Sequence, residues 1–132
     1  MVVKIEFYSV NSKFVEIEWL LITQSKRNNS MMFGAFVTHS PESCPLNNKS
    51  NKKIFMQFEK KIKTNMKKYK IKKILGFYMS ALEHLWVIIF EAESSHDIEN
   101  LCLETGIASF NTVKIVPMNT LEGVMRKLKR YS

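Results

Sequence analysis

The chain has 132 residues, 45% of them hydrophobic and 11% aromatic, which suffices for one domain with a proper core and is too short for two ordinary ones. That composition excludes a disordered chain, and the longest apolar runs, near residues 19–22 and 85–90, are too short to cross a bilayer as a helix, so no membrane partner is expected. The net charge is +8, carried mainly by one lysine-rich stretch considered below.

Val3, Ile5 and Phe7 alternate with Lys4 and Glu6, and Val15, Ile17, Trp19 and Leu21 alternate with Glu16 and Glu18. Residues 1–30 therefore read as an N-terminal extension with a β-hairpin, ending in a polar stretch, and residues 31–132 as the main domain. The opening Met-Val-Val-Lys-Ile-Glu lacks the basic region and unbroken apolar stretch of a signal peptide, so a cytoplasmic location is expected. Residues 32–38 are nearly all apolar and short, the pattern of a buried strand. Residues 38–45, Thr-His-Ser-Pro-Glu-Ser-Cys-Pro, then place an imidazole, a carboxylate and a thiol between two prolines that restrain the loop.

Ile54, Phe55, Phe58, Ile62, Met66 and Tyr69 recur at helical spacing and predict one amphipathic helix of about five turns. Eleven lysines lie between Lys49 and Lys73, where Glu59 is the only acid. This block reads either as a nucleic-acid-binding face or as the solvated side of a helix. Three arginines against seventeen lysines in the whole chain favour the second reading, because base and phosphate recognition draw on the guanidinium fork.

Residues 71–80 form a second strand, with Leu75, Phe77 and Met79 on one face and Ile74, Gly76 and Tyr78 on the other. Residues 81–84 are a short connection, and residues 85–92 are a third strand, apolar on both faces except for Glu91. Ser94 and Asp97 form a capping box for a helix that carries Ile98, Leu101 and Cys102 and stops at Gly106. Residues 112–117 are a fourth strand. Asn119 and Glu122 start a final helix bearing Leu121, Val124, Leu128 and Tyr131.

The order from residue 32 is thus β-α-β-β-α-β-α, an α+β protein of ferredoxin-like βαββαβ type with an antiparallel sheet and an extra C-terminal helix. Two helices cover one face of such a sheet. The other face carries large apolar residues with nothing to bury them, which predicts a homodimer.

The strand, the His39-Ser-Pro-Glu-Ser-Cys44-Pro loop, the helix, the Gly76-Phe77-Tyr78 strand and Glu83-His84 before a strand ending Phe90-Glu91-Ala92 resemble small uncharacterised proteins of the dimeric α+β barrel superfamily. The resemblance covers about residues 32–127. It implies two ferredoxin-like protomers forming a barrel, each with a pocket between sheet and helices. It implies no single activity, since muconolactone isomerases, monooxygenases and haem-degrading enzymes share the architecture.

In the ferredoxin-like order the first and third strands are adjacent, so His39 at the end of one and His84 at the start of the other are expected to meet. With Cys44, and Glu42 or Glu83, they would offer the N, S and O donors that zinc, copper or iron accept. Without a transition metal the same three residues could act as acid, base and thiolate in redox or isomerase-type catalysis on a small molecule. Tyr78 and Trp86 are candidates for lining that pocket. The alternative is structural: two strand-end histidines bonded to backbone, Glu42 capping the loop, Cys44 packed under the helix. His96 reads as a surface residue. Cys102 reads as a small core hydrophobe.

Overall fold

In a computed structural model that describes residues 30–132, the four apolar runs pair into one antiparallel sheet of order β2-β3-β1-β4. The strands are β1 (Met31–Thr38), β2 (Ile71–Ser80), β3 (Leu85–Ala92) and β4 (Thr112–Met118). Between β1 and β2 lie α1 (Lys49–Phe55) and α2 (Phe58–Asn65); α3 (Ser95–Thr105) joins β3 to β4, and α4 (Leu121–Arg130) follows β4. The hairpin expected before residue 30 lies outside the described residues. No helix among the described residues is long and apolar enough to cross a membrane.

Alternation along the two central strands builds the core. Phe33, Ala35 and Val37 of β1 and Trp86, Ile88, Phe90 and Ala92 of β3 are buried against Phe58 and Ile62 of α2, Ile98, Leu101 and Cys102 of α3, and Ile107. Each large apolar side chain buried this way contributes about 1.5–3 kcal/mol, and this common core holds both histidine-bearing strand ends in place.

The capping box expected for α3 is present: Ser94 Oγ accepts from the Asp97 N–H and donates to Asp97 Oδ2. The helix ends on Gly106 at φ 85°, a left-handed conformation that costs a side-chain-bearing residue about 1–2 kcal/mol. An added Cβ there would also stand 2.8 Å from Ile54 Cγ2. Gly106→Ala should therefore lower the melting temperature by roughly 4–8 °C in calorimetry; an unchanged value would contradict this reading of the helix end.

Three local expectations are corrected. The single five-turn helix is two helices, broken at Met56 and Gln57, where the Gln57 N–H bonds to the Ile54 carbonyl, three residues back instead of four. No proline or glycine marks this break. It falls between Phe55 and Phe58, whose rings both pack on Trp86. Second, β2 carries register shifts between Ile71 and Lys73 and between Ile74 and Gly76. They bring Ile74, Phe77 and Met79 opposite Phe90, Ile88 and Trp86, so Ile74 joins the helix side while Leu75 is left exposed. Third, Thr120 rather than Asn119 caps α4, accepting from the Gly123 N–H.

The sheet face away from the helices is apolar at its centre. Val87 lies between Phe36 and Tyr78, and Met118 lies opposite Met32. On α4, Leu121, Val124, Met125 and Leu128 form an apolar stripe, all of it exposed.

Candidate metal centre

Strand β1 is hydrogen-bonded on both sides, and both ladders stop at the same level. Thr38 is opposite Leu85 on one side and Thr112 on the other. One residue further, His39 falls between His84 and Asn111, and its backbone N–H donates to the His84 carbonyl at 3.3 Å. The two-residue alternation that buries Val37 also turns the His39 ring to the helix side, where it stands 5.4 Å from the Trp86 ring and 6.1 Å from that of Phe110. The His39 and His84 ring centroids are 5.3 Å apart.

The loop brings Cys44 back over this pair. Ser40 caps a single 3-10 turn, Pro41–Ser43, with proline at its first position, where no N–H is needed. The Asn51 side-chain amide donates to the Ser43 carbonyl, and the Asn47 and Asn48 N–H groups both donate to the Cys44 carbonyl. The turn thus reverses the chain and seats Cys44, which is 4% exposed. Nitrogens of His39 and His84 and the Cys44 sulfur all lie within 4.8 Å of one another. Bonds of about 2.0–2.3 Å to one ion put donors about 3.5–4 Å apart, so closure needs movement of about 1 Å.

Two polar atoms at this site are buried without a hydrogen-bond partner, His39 Nε2 and His84 Nδ1. Leaving such a group unsatisfied costs about 1–3 kcal/mol, so their coincidence beside a buried thiol needs an explanation. The tautomer of His39 follows from its other nitrogen. Asn111 Nδ2 donates to the Ile107 carbonyl at 2.7 Å, which turns Asn111 Oδ1 toward His39 Nδ1 at 2.9 Å. Nδ1 is then the N–H donor, and the lone pair of the neutral ring sits on the orphaned Nε2. A ring oriented by an outer acceptor while its free nitrogen faces inward is the arrangement of a metal-ligating histidine. His84 adds backbone strain, at φ 51°, a conformation uncommon for a residue with a side chain and concentrated at functional sites.

Asn111 was not among the residues singled out from the sequence, although its position was readable: it directly precedes β4, which pairs with β1, and so falls level with His39. Asn111→Leu removes the orienting acceptor and should weaken ion binding 10–100-fold in a titration. Unchanged affinity would remove Asn111 from the site.

The other candidates lie apart from this cluster. Glu42 and Glu83 are exposed, and the three-residue cluster includes neither. Tyr78 is 66% exposed, on the sheet face away from the helices. Trp86 is buried and packs on His39, but three of its other ring neighbours, Phe55, Phe58 and Phe77, border a separate half-open cleft of about 630 Å3. Trp86 thus packs on His39 and on residues that line the cleft without lining the cleft itself. His96 is exposed and pairs with Glu99. Burial, with Glu99 as a lesser cause, pushes the Cys102 thiol up to about 12, which leaves it inert as a thiolate. The lysine block is spread over α1, α2, a turn and β2, and Lys63, Lys68 and Lys72 are paired with Glu59, Glu104 and Glu91. The sequence matches no protein-family model and no curated protein.

Proposed function

We propose that the protein is a cytoplasmic transition-metal-binding protein of ferredoxin-like βαββαβ architecture, a relative of the dimeric α+β barrels, which holds one ion per chain through His39 Nε2, His84 Nδ1 and Cys44 Sγ. One observation carries this reading: two histidines, each with a buried ring nitrogen that has no partner, form with the buried Cys44 thiol a cluster whose donor atoms lie within 4.8 Å of one another. A bound ion would satisfy both nitrogens at once. Three protein ligands leave a coordination position free, which is where a small-molecule ligand would bind. Native mass spectrometry after equilibration with zinc, cobalt or cuprous salts should show one ion per chain. Absence of any retained ion, or equal retention by Cys44→Ser, would contradict the proposal.

The same reading includes a homodimer formed through the open sheet face. Half-buried Val87, Phe36, Met32 and Met118 on that face and the exposed apolar stripe of α4 support it, since apolar surface of this kind marks interaction sites. Light scattering at micromolar concentration should give the dimer mass, and Val87→Lys, which sets a charge at the centre of the face, should give the monomer mass. A monomer in the unaltered chain would contradict this part of the proposal.

A further inference from the structure

We infer that the ion this site is built for is copper in its cuprous state, an inference that rests on the metal reading above and adds the identity of the metal. The donor set is two imidazole nitrogens and one thiolate, without a carboxylate. Hard ions such as magnesium, calcium and manganese prefer oxygen and are excluded, while the soft sulfur selects cuprous copper or zinc.

Charge separates these two. With both rings neutral, the thiolate contributes −1, so a monovalent ion gives a neutral site and a divalent ion leaves +1. Among the described residues, those that wall the His39 ring carry no charge to offset that surplus. Trp86 and Phe110 wall the His39 ring, Cys44 is 4% exposed, and the acceptor behind His39 is the neutral amide of Asn111, where zinc sites often use a carboxylate. The chain itself carries +8. The thiol is buried and both histidines are half-buried, so water screens a surplus charge here only in part; an uncompensated charge is disfavoured in such a place, which favours the monovalent ion.

Coordination number points the same way. Zinc is almost always four-coordinate and would hold a water or small molecule in the open position, whereas a two-histidine, one-cysteine set is by itself the trigonal arrangement that copper uses, with that position left free. Among the described residues no carboxylate joins the cluster, and the acids nearest in sequence, Glu42 and Glu83, are both exposed.

The test is an anaerobic competition on the reduced full-length chain, with cuprous ion supplied from a chelator buffer and zinc in excess. The expected result is one cuprous ion per chain retained against zinc, with X-ray absorption showing one sulfur and two nitrogen neighbours. Cys44→Ser should weaken binding beyond the ~100-fold expected of an outer partner. Cys102→Ala, and the double variant Glu42→Gln with Glu83→Gln, should bind as the unaltered chain does. Circular dichroism of each variant establishes that it is folded. Zinc displacing copper, or loss of binding in the glutamate variant, would overturn the copper assignment while leaving the metal site standing. Failure of both ions to bind would overturn the assignment together with the site.

Discussion

Replacing Cys44 with serine should abolish the rise in melting temperature that the ion brings to the unaltered chain. An ion that binds only the folded state, present at a hundred times its dissociation constant, stabilises by about 2.7 kcal/mol. For a chain of this size that corresponds to roughly 10 °C. Serine is nearly isosteric with cysteine and the loop around position 44 is held by backbone and asparagine contacts, so the ion-free variant should melt close to the ion-free parent. Calorimetry with and without free ion at about a hundred times its dissociation constant reads the difference. An equal rise in both proteins would place the ion elsewhere, and no rise in the parent would deny it a site.

His84→Gly should abolish ion binding and at the same time stabilise the ion-free protein, a combination that a structural histidine does not produce. Glycine adopts the left-handed backbone of position 84 without the 1–2 kcal/mol penalty, and it removes the unpartnered Nδ1, worth a further 1–3 kcal/mol. Against this stand the flexibility glycine adds to the unfolded chain, about 0.5–1 kcal/mol, and the lost edge contact with the His39 ring, about 0.5–1.5 kcal/mol. The balance is a gain of about 2 kcal/mol in denaturant unfolding of the ion-free proteins. A loss of stability on removing His84 would mean that its ring serves packing, and the metal reading would lose one of its ligands.

The α+β class, the four strands and the meeting of His39 with His84 were legible because each rests on a local signal with long reach. Four apolar runs of strand length, a capping box at Ser94 and a terminating Gly106 set the order of elements, and antiparallel adjacency of the strands bearing the two histidines does the rest. What was not legible depends on packing between distant segments. The break at Met56 and Gln57 has no proline or glycine to announce it, and its visible correlate is two phenylalanines seated on one tryptophan. The bulge before Gly76 turns Ile74 toward the helices and shifts the face assignments of β2. Asn111 lies 72 residues from His39, and only the pairing of β4 with β1 makes it a neighbour. Tyr78 was drawn toward the site by its residue type, whereas its strand places it on the opposite face of the sheet. The fine placement of Cys44 needed the 3-10 turn, whose proline and serine were present but whose direction of return was not encoded locally.

The central claim is that His39 and His84 hold one ion between them with Cys44, and the chain's three histidines make it directly testable by ring-nitrogen NMR. On adding a diamagnetic ion, zinc or cuprous copper, the account predicts coordination shifts at His39 Nε2 and His84 Nδ1 that saturate together at one ion per chain. The exposed His96 should not move. Shifts at His96 alone, or unmoved resonances of His39 and His84 in the presence of a bound ion, would contradict it.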